Sequence, residues 1–345
     1  MLKNFHHKKK QLELIAKIFK TIVPPSLYKN VIKNSFKNFI SLHTPSSAIL
    51  GLTYNCQCNC IHCSAGSYEK QDQKELSTKQ WLNLLADIAA LGVPRINLSG
   101  GEALMRKDIF EIIKYASSKF VVILESNGQL LDEETIKHLK QARLSCLAVS
   151  IDSPYPKTHN QLRKLEHAFE KAQQGIEYAV KNKLPCLLST YFTAETLTEE
   201  NLNKILNLSR QLNVLATRIM PVRPAGNFSC ETGALLSPDQ EKELSQKIDP
   251  SIAYFKGLPA PKKCGLFCKA TFYISPYGDV QLCPYLPLAF GNISQQKLKD
   301  ILEKMWNHPL FKNTSKDCLI LNQKFREKNI TPKINQKDTL LPLKI

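Results

Sequence analysis

Between residues 48 and 220 the chain alternates short apolar or β-branched runs with helical stretches, and this alternation restricts it to a parallel βα architecture. Strands are expected at residues 48–54, 95–98, 120–125, 146–151, 186–191 and 215–220. Helices are expected at 78–91, 108–117, 132–141, 166–181 and 198–211, the first begun by Ser77 or Thr78 and closed by Gly92. Six such strands predict an α/β fold, a partial (βα)6 TIM-like barrel whose active site forms at the C-terminal strand ends. After Pro221 the pattern fades, and residues 264–318 predict a small C-terminal β-hairpin and helix cluster domain. Its strands fall at 270–275 and 280–283 around a Pro276–Asp279 turn, and its helix at 295–306. The chain therefore divides into a basic N-terminal helical segment (1–47), the barrel (48–225), the auxiliary domain (226–320) and a basic tail (321–345) expected to be flexible.

Ile15, Ile18, Phe19 and Ile22 recur at helical spacing, so residues 11–23 predict a basic amphipathic helix, stopped by Pro24 and Pro25. A second apolar series follows at Tyr28, Val31, Ile32, Phe36 and Phe39. Two helices capping the main domain satisfy this pattern; weak contact with a membrane surface is the other reading. The net charge of +17 is terminal: nine Lys oppose only Glu13 over residues 1–47, and eight Lys and Arg oppose three acids over 312–345. With no interleaved aromatics, this bias argues against a nucleic-acid groove. No run approaches the roughly 18 apolar residues of a membrane span, and no apolar leader core follows Met1–Lys10. A cytoplasmic location is expected.

Eleven cysteines at metal-ligand spacings, in a chain this long, point to metal ligation rather than disulfides. Cys56, Cys60 and Cys63 occupy the loop after the first strand. Three thiolates can hold three irons of a [4Fe–4S] cubane and leave the fourth open. Cys58 lies among them, so a four-thiolate zinc knot is the alternative; under the cluster reading Cys58 is a bystander.

The stretch Cys56-Gln57-Cys58-Asn59-Cys60-Ile61-His62-Cys63 resembles the cluster loop of the radical S-adenosylmethionine (SAM) superfamily. Gly100-Gly101-Glu102, after the second strand, resembles that family's Gly-Gly-Glu motif, in which the glycines admit a backbone approach and the carboxylate can take the methionine ammonium. Ser126-Asn127-Gly128 and Ser150-Ile151-Asp152 are similar to its motifs after strands three and four. Arg163 falls where relatives place an arginine for the SAM carboxylate, and His62 stands where an adenine-contacting aromatic is usual. Turn and cap chemistry for Asn127 and Asp152, and a surface salt bridge for Arg163, are the structural alternatives.

Cys264, Cys268, Cys283 and Cys318, with Gly278 between the second and third, resemble the SPASM domain of radical SAM maturases. The dense later cysteine run of a full SPASM region is missing, so the resemblance implies a shortened, twitch-type domain with one auxiliary [4Fe–4S] cluster. Cys146 and Cys186 are expected in the core, and Cys230 lies outside both groups. The likeness implies reductive cleavage of SAM to a 5′-deoxyadenosyl radical, with an electron supplied by a flavodoxin or ferredoxin. It implies a substrate that is either a peptide or protein, or a tetrapyrrole, the latter suggested by Cys63-Ser64-Ala65-Gly66. Arg218 and Arg223 are candidates for substrate carboxylates. A non-catalytic iron–sulfur redox or scaffold protein is the competing class, and Glu102 discriminates, because a cluster holder has no need of it.

Overall fold

The structure, a computed structural model, describes residues 2–33, 45–66, 68, 73–228, 232–255, 270–311, 318–334 and 342–345. Six parallel strands lie side by side in chain order: β1 Ser47–Gly51, β2 Arg95–Ser99, β3 Val121–Ser126, β4 Cys146–Ser150, β5 Cys186–Phe192 and β6 Ala216–Pro221. Between them run α2 Thr78–Ala90, α3 Ile109–Ser117, α4 Glu133–Gln141, α5 Pro156–Arg163, α6 Ala168–Lys181 and α7 Glu199–Gln211, while α1 Leu2–Ile22 precedes the barrel. The sheet does not close, as expected of a partial barrel.

Local chemistry sets these boundaries. Ser77 caps α2 in a reciprocal box with Gln80. Asp132 and Thr198 cap α4 and α7 through side-chain bonds to the amides of Thr135 and Asn201. Two short elements escape the periodicity. The helix α5 carries Pro156 at its first turn and a polar sequence, and β7 Ala253–Phe255, added parallel to β6, is only three residues long. A further helix, α8 Pro238–Lys247, comes before β7.

The auxiliary segment continues the barrel's own sheet. Here β8 Thr271–Ile274 pairs in parallel with β1, on the edge opposite β7. The strands β9 Asp279–Gln281 and β10 Leu288–Asn292 then follow antiparallel, and α9 Leu298–Asn307 packs on β10 and α2. The tail departs from its expected looseness. Residues 323–329 and 331–334 are helical, and β11 Leu343–Lys344 pairs in parallel with β10, burying Leu343. An apolar end can pair with a sheet edge even when most of its segment is polar. Residues 335–341 lie outside the described residues.

Strand alternation divides the core in two. The outward set, including Leu50, Leu98, Leu124, Val149, Leu188 and Ile219, packs under the helices. The inward set, Val121, Ile123, Cys146, Ala148, Leu187, Ala216 and Tyr254, meets Leu14, Ile18 and Ile22 of α1. The N-terminal helix therefore floors the barrel, as a cap. Leu14, Ile18 and Ile22 of its apolar face are buried there, while Ile15 is only partly covered and Leu14 takes the deeper place. Residues 28–33 are helical as well, with Ile32 exposed; Phe36 and Phe39 lie outside the described residues. No helix among the described residues is long and apolar enough to cross a membrane.

Candidate active site

The cysteine loop leaves β1 at the C-terminal end of the barrel and hangs on the end of α5. The amides of Asn59 and Ile61 donate to the carbonyls of Arg163 and Leu162, at 3.2 and 3.0 Å, so the loop caps carbonyls that the helix leaves unpaired. Asn227 holds the other side: its amide donates to the Cys63 carbonyl at 3.0 Å and its Nδ2 to the Cys60 carbonyl at 2.9 Å. Two side chains point at sulfur, Asn127 Nδ2 at 3.5 Å from Cys56 Sγ and Arg163 Nη1 at 3.6 Å from Cys60 Sγ.

The four thiols are not equivalent. Hydrogen bonds from Cys58, joined by the Arg163 charge, pull Cys60 down to about 6 against its burial, and Cys58 likewise lowers Cys56. Cys58 is raised by those same contacts and keeps its proton. Burial pushes Cys63 up to about 11, so it ionises only against a positive centre. Three thiolate candidates with donors aimed at two of them suit a cubane with one open iron. The protonated Cys58 stands outside that set.

The loop after β2 is zipped to this one. Gly101 and Glu102 donate their amides to the carbonyls of Thr53 and Asn55 at 2.7 and 2.8 Å. Gly100 has φ +133°, and a Cβ there would sit 2.3 Å from the Thr53 carbonyl, so glycine is required. Glu102 is fully buried. Its oxygens accept from Leu104 N (3.2 Å), Asn127 N (2.7 Å) and a Ser126 hydroxyl shared between them (3.1 and 3.2 Å). Burial raises its pKa to about 7. The carboxylate thus ties the ends of β2 and β3 together and keeps about one lone-pair position unused.

Beyond β4, Asp152 is the anionic centre. Its carboxylate pairs with Arg163 at 2.5 Å and His62 Nε2 at 3.3 Å and accepts from the Tyr191 amide at 3.1 Å. Arg163 and His62 hold its pKa below the usual range despite burial. Its amide donates to His159 Nδ1 at 3.1 Å, and burial keeps His159 neutral, with a pKa near 4. The structure thus brings His62, Asp152 and Arg163 into one buried network against the cysteine loop, and Glu102, Ser126 and Asn127 into a second. Arg163 is no surface salt bridge.

Tyr191, Arg106 and Asn227 were not among the residues that the sequence marked. The His62 ring lies 5.2 Å from that of Tyr191, whose hydroxyl is 3.2 Å from that of Tyr285, two residues past Cys283. Tyr54 stacks on Tyr68 at 5.0 Å and meets Tyr277, and the Tyr273 hydroxyl occupies the space a Gly51 side chain would fill. Aromatic contacts therefore join the cysteine loop to the auxiliary segment. Arg106 clamps the carbonyls of Leu52 and Leu76 and the carboxylate of Asp108. Lone residues this far apart give no local signal. Cys283 and Cys318 are both half-buried, whereas Cys264, Cys268 and Cys230 lie outside the described residues. Arg218 pairs with Glu125 and Arg223 with Glu241, so neither is simply solvated. Cys146 and Cys186 are buried in strands.

Comparison with known proteins agrees with this geometry. The family model of the radical SAM superfamily matches residues 50–208, and that of an iron–sulfur cluster-binding domain, SPASM, matches residues 264–333. An AdoMet-dependent heme synthase of Methanosarcina barkeri is 30% identical over 73% of this chain and 80% of its own length. A PqqA peptide cyclase of Bradyrhizobium diazoefficiens is 26% identical over 69% of this chain and 66% of its own. The crystal structure of Streptococcus suis SuiB bound to precursor peptide SuiA superposes with a TM-score of 0.63 at 13% identity, covering 82% of this chain and 70% of that one, which shows a shared fold. Matched along its barrel by the family model and over most of its length by a relative, this chain belongs to the radical SAM superfamily and is an enzyme that uses a [4Fe–4S] cluster and SAM.

Proposed function

We propose that this enzyme acts on a tetrapyrrole that carries carboxylate side chains. The heme synthase likeness carries this reading, at 30% identity over four-fifths of that relative's length, against 26% over two-thirds for the peptide cyclase. Arg218 on the inward face of β6 suits a polyanionic substrate.

Cys56, Cys60 and Cys63 hold the SAM cluster, which when bound supplies one electron for cleavage of SAM and so a hydrogen-abstracting adenosyl radical. Asn127 and Arg163 orient two of the sulfurs. The Gly100–Gly101 backbone and Ser126 line the methionine end of SAM, with Glu102 fixing that wall more than binding through its own charge. Arg163, held by Asp152, faces the SAM carboxylate, and the His62 ring, fixed by Asp152 and Tyr191, faces the adenine. Cys264, Cys268, Cys283 and Cys318 hold the auxiliary cluster, so residues 48–225 carry the radical chemistry and 226–320 the second cluster. A flavodoxin or ferredoxin in the cytoplasm supplies the electron.

The test is an anaerobic incubation of reconstituted protein with SAM, a one-electron reductant and an iron porphyrin bearing free propionates. A porphyrin product of changed mass, formed in step with 5′-deoxyadenosine, is expected. Adenosine release that ignores the porphyrin but responds to a peptide would overturn the substrate assignment and leave the family intact.

A further inference from the structure

Below the cysteine site the barrel interior has a polar belt. Asn97 Nδ2 donates to Glu125 Oε1 at 2.8 Å, Arg218 Nη1 donates to the same oxygen at 2.9 Å, and Arg218 Nε and Nη2 reach Ser189 Oγ at 3.1 and 2.8 Å. These groups satisfy one another. Arg95 differs. It shares the inward face of β2 with Asn97, yet makes no hydrogen bond or ion pair with any described residue, and its Nε is sealed from solvent without an acceptor. Tyr254, Arg218 and Glu125 are its electrostatic neighbours, so its charge lies within reach of the belt. Among the described residues two guanidinium groups, Arg95 and Arg218, share the one belt carboxylate of Glu125.

A guanidinium whose Nε is sealed from water without an acceptor is a costly arrangement, while the half-buried side chain leaves the rest of its fork reachable by a ligand. Its planar fork of donors matches a carboxylate in two-point geometry. The belt lies directly under the proposed SAM wall, because Glu125 precedes Ser126. Arg95 begins four residues below the end of β2, a depth of about 13 Å at ~3.3 Å per residue. Its side chain recovers part of that depth, and a short acid arm entering from the strand ends spans the remainder. On the floor, α1 covers the β3–β7 side of the lumen.

We propose that Arg95 is a carboxylate-binding residue of the reaction chamber, receiving one propionate-type arm of the substrate. The identity of the arm rests on the tetrapyrrole reading, whereas the site itself does not. Two experiments on the reconstituted full chain separate them. In the first, an iron porphyrin with free propionates and its methyl ester are titrated by the shift of the Soret band. Wild type is expected to bind the acid at least tenfold more tightly than the ester, and Arg95→Gln to lose most of that preference with the ester affinity unchanged. An Arg95→Gln protein that keeps the wild-type preference overturns the proposal. The second uses no porphyrin. Arg95→Met is expected to raise Tm, because an unpartnered charge is removed, and succinate to raise the Tm of wild type but not of the variant. A lower Tm in Arg95→Met, with the succinate response intact, makes the arginine structural and sinks the proposal. If wild type binds neither porphyrin while the succinate shift depends on Arg95, the site stands and the tetrapyrrole reading falls.

Discussion

Glu102 is marked in the sequence by its motif, and the structure adds contacts that the motif does not announce. The Gly-Gly-Glu pattern marks the position, and three protein donors from two strand ends also engage its carboxylate. This has a pH signature. Glu102 titrates near 7 in the folded chain, against a reference of 4.5, so the native state binds the extra proton between those values. Wild-type stability therefore falls as pH rises through that window, and the full penalty applies above it. Urea unfolding of Glu102→Gln is expected to show the variant gaining relative to wild type from pH 4.5 to 7 and levelling beyond; a pH-independent difference contradicts the assignment. The cysteine loop was legible because its cysteines fall within eight residues. The Asp152, His62 and Arg163 network was legible only as separate motif positions, since its contacts span up to ninety residues and depend on the barrel bringing β4 to β1.

Among the elements, α1 was readable as an amphipathic helix but not as the floor of the barrel, because hydrophobic periodicity gives a face and not its partner. Ile18 is almost wholly buried against the inward residues of β3–β7. Ile18→Ala is expected to cost about 2–5 kcal/mol in urea unfolding, whereas Leu12→Ala, at a side chain 65% exposed, stays within about 0.5 kcal/mol. Equal effects would deny the floor. The long βα elements matched expectation within a few residues because caps such as Ser77 and Asp132 announce them. The elements α5 and β7 and the strand at 343–344 were missed because each is too short or too polar for a period to emerge.

For the molecule as a whole, one sheet, eleven-stranded among the described residues, joins the barrel to the auxiliary segment through β1 and β8, with aromatic contacts across the join. The sequence suggested a separate small unit, because a hairpin signal is local and says nothing of the edge it adds to. The two tryptophans report the two parts, Trp81 on α2 and Trp306 on α9. Single-tryptophan versions are expected to unfold with one common midpoint, and separated midpoints would show two independent units. We propose above all that Cys56, Cys60 and Cys63, and not Cys58, hold the cluster that cleaves SAM. The most direct test is 5′-deoxyadenosine release by anaerobically reconstituted protein given SAM and a strong reductant. Wild type and Cys58→Ser are predicted to release it, and Cys60→Ala to release none while retaining the iron of the auxiliary site, about four atoms. A fully iron-loaded wild type that releases none, or a Cys60→Ala protein as active as wild type, would contradict it.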